Sequence, residues 1–327
     1  MDKYPVSCFQ VGEYFQVDGK QLQQQYKDHI SDYRNWEQRD HASEWLLFAN
    51  NTGTRLSIDE TALSNGELYT IVTNKAAKGR KKALVAMIRG TQADQIAAVL
   101  EKIPEKIRDQ VEEVTMDMAG SMLSAVRRCF KKARQVIDRF HVQKLAYDAV
   151  QEIRIKHRWL VIEQESSFYT LAKANGKTYT PEELSNGDTL KQLLVRSRYL
   201  LFQHHIKWTS SQKDRAKLLF EKFPEIKDGY ELSIKLGEIF NKVTAKEVAF
   251  KKLALWYNDV ERSGIESFRI VARSMRTHYS NILNFFDNRS TNASAESFNA
   301  KVKAFRATSR GVRDINFFLF RMANIYA

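Results

Sequence analysis

Strand-type patterning in this chain is confined to one stretch, residues 55–138, and then stops. Arg55-Leu56-Ser57-Ile58-Asp59 alternates apolar and polar, as a half-buried strand does. Asn65-Gly66 is a turn signal, and Glu67–Thr73 reads as the returning strand. A basic loop, 74–82, precedes a third strand, Ala83–Arg89. Thr91, with Asp94 three residues on, predicts a capped helix through Ile103, which Pro104 ends. Val114–Asp117 is a short strand that finishes on an acid. Ala119–Phe130 places Met122, Leu123, Val126 and Phe130 on one helical side, and Ala133–Asp138 is a fifth strand. The order strand, strand, strand, helix, strand, helix, strand predicts an α/β layer architecture with a mixed sheet. From His141 onward the pattern is helical. Capping boxes are expected at Thr180-Pro181-Glu182-Glu183 and at Thr244-Ala245-Lys246-Glu247, and Ala249, Leu253, Trp256 and Val260 recur at helical spacing. Residues 1–50 read as helical and tyrosine-rich.

Composition restricts the classes of function. Of 327 residues, 43% are hydrophobic and 11% aromatic, enough for a core and too many for a disordered chain. Two cysteines, Cys8 and Cys129, cannot build a disulfide framework or a four-cysteine zinc site. No run approaches the ~18 apolar residues of a membrane span. Met1-Asp2-Lys3-Tyr4-Pro5 lacks the pattern of a secretory signal. The expectation is a soluble cytoplasmic protein without membrane contact. The net charge is +13, yet residues 1–50 carry five basic and eight acidic side chains. The positive charge gathers at 75–82, at 127–134 and between Arg289 and Arg313. Such clustering points to a polyanionic partner, most simply nucleic acid.

Three acids stand out. Asp59 and Asp117 lie at or near predicted strand ends, where side chains from distant sequence converge. Buried carboxylates are costly unless paired with a cation, and Mg²⁺ takes one or two carboxylates together with phosphate oxygens. Glu296 follows Asn292, a good N-cap, so it falls in the first turns of a helix whose dipole favours an ionised carboxylate. Glu296, Asn299, Lys303 and Arg306 share one face of that helix, and Phe298, Val302 and Phe305 form the other. One helix can thus dock on a core, present an acid to a metal and set two cations along a phosphate backbone. Asp138 and His141 form a further pair, and Asp138 rivals Asp117 as the second ligand. Neither a phosphate-binding glycine loop nor a nucleophile elbow is present in the sequence.

Two runs carry a family resemblance: Val136-Ile137-Asp138-Arg139-Phe140-His141-Val142, and Asn288 through Lys303 followed by Arg306 and Gly311. With Met116-Asp117-Met118 and Ile58-Asp59-Glu60 upstream, the chain over about 52–327 resembles insertion-sequence transposases of the ISL-three family. That family is a branch of the DDE superfamily with a ribonuclease H-like core. The resemblance implies Asp59, Asp117 and Glu296 as the three acids, holding Mg²⁺, or Mn²⁺ in its place, for cleavage and joining of DNA strands. Asp117 is preferred over Asp138 because the second acid of such cores follows the fourth strand. Asp138, His141 and Asn292 then support the site. Lys78, Arg80, Lys81, Arg289, Asn299, Lys303, Arg306 and Arg310 are the expected DNA contacts.

The expected division is an N-terminal helical segment, 1–50; the first part of the core, 51–145; a large all-helical insertion, 146–289; and the C-terminal catalytic helix, 290–327. Complete members of the family carry an upstream zinc-binding and helix-turn-helix region, whereas the first acid here is already at position 59. Two expectations follow as alternatives, recognition of transposon ends by a separate polypeptide or a chain that is a truncated copy of the element's protein; a homo-oligomer is expected on double-stranded DNA. The competing readings are a ribonuclease H-like nuclease without strand transfer and a decayed DNA-binding remnant.

Overall fold

A computed structural model describes residues 1–63, 66–309, 312 and 314–327. The chain divides into two compact units, one of residues 1–138 with 288–327 and one of residues 139–287.

The first unit opens on two short helices, α1 (Cys8–Phe15) and α2 (Gly19–Gln25). Ser7 and Gln10 cap α1 reciprocally. Six strands follow: β1 (Trp45–Leu47), β2 (Arg55–Ala62), β3 (Leu68–Asn74), β4 (Leu84–Arg89), β5 (Glu113–Met116) and β6 (Arg134–Ile137). Helices α3 (Ala93–Leu100) and α4 (Glu105–Arg108) lie between β4 and β5, and α5 (Gly120–Cys129) lies between β5 and β6. The sheet order is β1-β4-β3-β2-β5-β6. β2 pairs antiparallel with β3 and parallel with β5, and β5 pairs parallel with β6. The five strands expected from sequence are present. β1 is a sixth that the pattern did not reveal, because three residues are too few to show alternation; its register, Trp45 opposite Ile88, comes from the β4 edge. Residues 1–50 are thus not wholly helical.

After the second unit the chain returns as α14 (Ala293–Thr308) and α15 (Ile315–Tyr326). Phe298, Val302 and Phe305 of α14 pack with Phe318, Leu319 and Met322 of α15 against Leu46, Tyr69, Ile71 and Met87 of the sheet. The apolar stripe read from sequence is therefore the docking face of α14. Tyr26 and Tyr33 close over Phe317 and Phe320, which fastens the N-terminal segment to α15.

The second unit is helical: α6 (Arg139–Ala174), α7 (Leu190–Arg196), α8 (Ser210–Lys222), α9 (Pro224–Lys242), α10 (Lys246–Ser263), α11 (Glu266–Thr277), α12 (Tyr279–Leu283) and α13 (Phe285–Asn288, whose last residue belongs to the first unit). Ala249, Leu253, Trp256 and Val260 are fully buried, and the Trp256 indole N–H donates to the Leu232 carbonyl at 2.9 Å. Gly229 lets α9 approach α6, since a Cβ there would meet Ile153 at 2.7 Å.

Three capping expectations change. Thr180-Pro181-Glu182-Glu183 opens no helix. Instead Glu183 bridges Thr189, which caps α7 reciprocally with Gln192. The turn residues Ser185-Asn186-Gly187 follow at once, so no apolar face is available to continue a helix. Thr244 stands one residue early, for Ala245 is the N-cap of α10. Gln92, not Thr91, precedes α3, without a side-chain cap. Asn65 of the expected turn lies outside the described residues.

Candidate active site

The last register pair between β2 and β5 is Ser57 with Thr115. Two residues further along each strand stand Asp59 and Asp117. On β6 the register pairs Met116 with Ile137, and the next residue is Asp138, whose N–H donates to the Met116 carbonyl at 2.8 Å. Three aspartates thus occupy matching register positions: Asp117 and Asp138 directly follow β5 and β6, whereas Asp59, expected near a strand end, lies inside β2 opposite Ile71 of β3, just past the last pair of the parallel ladder. Carboxyl ends of parallel strands are the usual location of α/β sites. Asp117 is next to Asp59 in strand order, and Asp138 is one strand beyond.

Helix α14 rests on β2 and β3 and reaches Asp59 and Asp138. The Asn299 amide donates to the Asp59 carboxylate at 2.8 Å. The Asn292 N–H donates to the fully buried Asp138 carboxylate at 3.2 Å, and its side-chain amide donates to the Ile58 carbonyl at 3.0 Å. Asn292 occupies the N-cap position of α14 but makes no side-chain cap. Its side chain ties the helix to β2 instead. Glu296, in the first turn, is exposed, with a carboxylate oxygen within 4.8 Å of one from Asp138. His141 sits in the first turn of α6, in the helical unit, and its Nε2 is buried without a hydrogen bond among the described residues.

Burial, then the charges of Asp117 and Asp59, raise the Glu60 carboxyl above the usual range. The side-chain carbonyl oxygens of Asn292 and Asn299 are buried with no hydrogen-bond partner among the described residues. Hard oxygen donors, several of them anionic, suit a divalent cation such as Mg²⁺ or Mn²⁺.

The expected DNA contacts separate. Lys78, Arg80 and Lys81 are exposed on the loop after β3, as are Lys303 and Arg289. Gly79 has φ +67°, and the Lys301 ammonium donates to its carbonyl at 2.9 Å, linking that loop to α14. Arg306 is a correction. It is 8% exposed and turned inward to Glu67, with Nη2 2.7 Å from the carboxylate and the guanidinium over the Phe318 ring. That Glu67 oxygen has no well-directed hydrogen bond, so charge proximity rather than hydrogen-bond geometry holds the pair. Helical spacing put Arg306 in line with Glu296, but the crevice beside α15 captures the guanidinium, and it does not face a phosphate backbone. Asn299 is likewise buried, with its amide turned to the Asp59 carboxylate. Arg310 and Gly311 lie outside the described residues. In the 127–134 cluster, Arg128 pairs with Glu101 and Asp94, and Lys132 pairs with Asp109.

Sequence reasoning missed Glu113. It is buried on β5, 3.4 Å from the Lys75 ammonium, and it accepts hydrogen bonds from Asn288 and Ser290, so it anchors the strand that carries Asp117 to the segment that leads into α14. Its signal was an acid at the start of a short strand whose other residues are Val114, Thr115 and Met116.

The family model described as transposase, of the ISL-three type within the DDE group, matches residues 56–322. The chain belongs to this transposase family. No curated protein and no solved structure gave a match. In this transposase β4-β3-β2-β5-β6 is the ribonuclease H-like sheet, with β1 added at one edge. DDE transposases act on DNA and use divalent metals, and the neighbouring carboxylates of Asp138 and Glu296 are donors of the kind that chemistry needs. Among the described residues, no helix is long and apolar enough to cross a membrane.

Proposed function

We propose that this transposase cleaves DNA at transposon ends and joins the freed strands to a target, with Asp59, Asp117 and Glu296 holding Mg²⁺ or, in its place, Mn²⁺. The observation that carries the reading is the matched position of Asp59 and Asp117 on adjacent parallel strands, with the Glu296 helix bonded to Asp59 through Asn299. When bound, divalent ions at such carboxylates activate a water or 3′-hydroxyl and stabilise the leaving oxygen. The chain's own residues do the positioning. Asn299 fixes the Asp59 carboxylate. Asp138 and Asn292 fix the start of α14 and so the height of Glu296. Lys78, Arg80, Lys81, Arg289 and Lys303 supply cations for the phosphate backbone, which orients DNA without reading its sequence. Assembly of several copies on DNA belongs to the same proposal.

Asp59→Asn, Asp117→Asn and Glu296→Gln should each abolish Mg²⁺-dependent cleavage and leave DNA binding intact. Cleavage retained in Asp117→Asn and lost in Asp138→Asn would move the second acid to Asp138. A labelled end with a free 3′-hydroxyl should appear in a joined product. Metal-dependent cleavage without that product would favour a nuclease, and binding without cleavage would favour a decayed remnant.

A further inference from the structure

Within the helical unit, three arginines gather without a carboxylate. Arg154 and Arg158 stand one turn apart on α6, so their side chains are neighbours on one face. Arg154 is 6% exposed; its Nε donates to the Gln151 side-chain oxygen at 2.7 Å and its Nη1 to the Leu194 carbonyl at 3.0 Å. The Gln151 amide in turn donates to the Arg198 carbonyl at 3.2 Å, which ties the third arginine to the same place. Burial, then the charges of Arg198 and Arg158, hold the Arg154 guanidinium below its usual range. The Arg158 Nε is buried with no hydrogen bond among the described residues. Arg198 is exposed, with its guanidinium over the exposed Tyr199 ring. Among the described residues, none of the three forms an ion pair, and the acids of this region are engaged elsewhere: Glu165 faces Lys191 at 4.0 Å, and Glu225 meets Lys156 and His157. Amide and carbonyl partners orient Arg154 without cancelling its charge. The C-terminal end of α7 offers about half a negative charge at most, against three positive ones. Like charges one turn apart on a helix oppose its stability. An anion relieves this arrangement, and guanidinium forks match phosphate oxygens in pairs.

We propose that Arg154, Arg158 and Arg198 form a phosphate site on the helical unit, and that it takes the backbone of duplex DNA. The proposal rests on the DNA-cleaving reading and adds a second DNA-contacting surface to the cations of the first unit. A second copy of the chain is a poorer occupant, because each copy carries +13. The test uses the full chain with metal chelated to prevent cleavage. Arg154 also holds the end of α7, so it is left in place, and Arg158→Gln is combined with Arg198→Gln. The double variant should reduce the slope of log affinity against log salt on duplex DNA by about two, one for each cation removed. Arg276→Gln, in the same unit but engaged with Glu261 at 2.9 Å, should leave the slope unchanged. Phenylglyoxal, which modifies arginine, should label the exposed Arg198 in the free protein. Duplex DNA should protect it, and inorganic phosphate at the same phosphate concentration should not. Because like charges are removed, the double variant should melt no lower than wild type without DNA. A lower melting temperature with an unchanged slope would make these arginines supports of α7 and overturn the proposal. Equal protection by inorganic phosphate would assign the site to a free anion and overturn DNA as its occupant. An unchanged slope in a wild type that cleaves DNA once metal is restored would overturn the inference and leave the transposase reading standing. A wild type that neither binds nor cleaves DNA would overturn both. Self-association without DNA that the double variant abolishes would assign the cluster to a second copy and overturn the phosphate site.

Discussion

Lys303 and Arg306 are three residues apart on α14, yet only Lys303 is exposed; Arg306 is buried against Glu67. Breaking a buried pair strands its partner, so Arg306→Ala should cost about 3–5 kcal/mol. Lys303→Ala should stay within about 0.5 kcal/mol. Urea unfolding of the two variants checks this, and equal stability would contradict the inward placement of Arg306. Glu113 predicts a pH effect. Burial alone would raise its carboxyl, but hydrogen bonds from Asn288 and Ser290 and the neighbouring Lys75 charge outweigh burial and hold it below the usual range. The unfolded chain therefore binds more protons in acid than the folded one. The stabilisation is complete above the ordinary carboxylate range and is lost as pH falls through the depressed folded value. Glu113→Gln should lose about 1–3 kcal/mol at pH 7. Its stability should then fall less steeply than wild type on acidification; parallel curves would rule out Glu113 as the source.

At the scale of elements, a capping pattern becomes a cap only where its first residue stands immediately before the helix. Thr209 accepts from the Gln212 N–H and Gln212 reaches back to the Thr209 N–H at the start of α8, whereas the Thr244 pattern misses the start of α10 by one residue. Thr209→Ala should cost about 1 kcal/mol. Thr244→Ala should change stability by less than about 0.5 kcal/mol. Thermal melts distinguish them, and an equal loss would restore Thr244 as a cap. The same dependence on context explains β1 and Asn292. Trp45–Leu47 is a strand only because β4 offers it an unpaired edge, and Asn292 sits where a cap belongs while its amide bonds β2. Five strands and α14 were legible because period-two alternation and a helical apolar stripe survive in a single sequence.

For the whole molecule, a charge of +13 predicts DNA binding that weakens with salt, and the ion pairs predict which cations matter. Removing one cation that neutralises a phosphate should reduce the log–log salt slope by about one. Lys78→Ala and Lys303→Ala should each show that reduction. Arg128→Ala should not, because Arg128 is engaged with Glu101 and Asp94. An unchanged slope for Lys303→Ala, or a reduced one for Arg128→Ala, would show that the wrong basic face had been assigned to DNA. Local pattern and motif by themselves determined the mixed sheet, the helical block, the family resemblance and the candidate acids, because periodicity and residue type are properties of neighbours along the chain. Only the tertiary structure decided that Asp59, Asp117 and Asp138 share a register, that Asn299 bonds Asp59, that Arg306 is captured by Glu67, and that Glu113 fastens β5 to Ser290. These depend on groups far apart in sequence, and no spacing rule within one segment records which distant partner will meet a side chain once the sheet has closed.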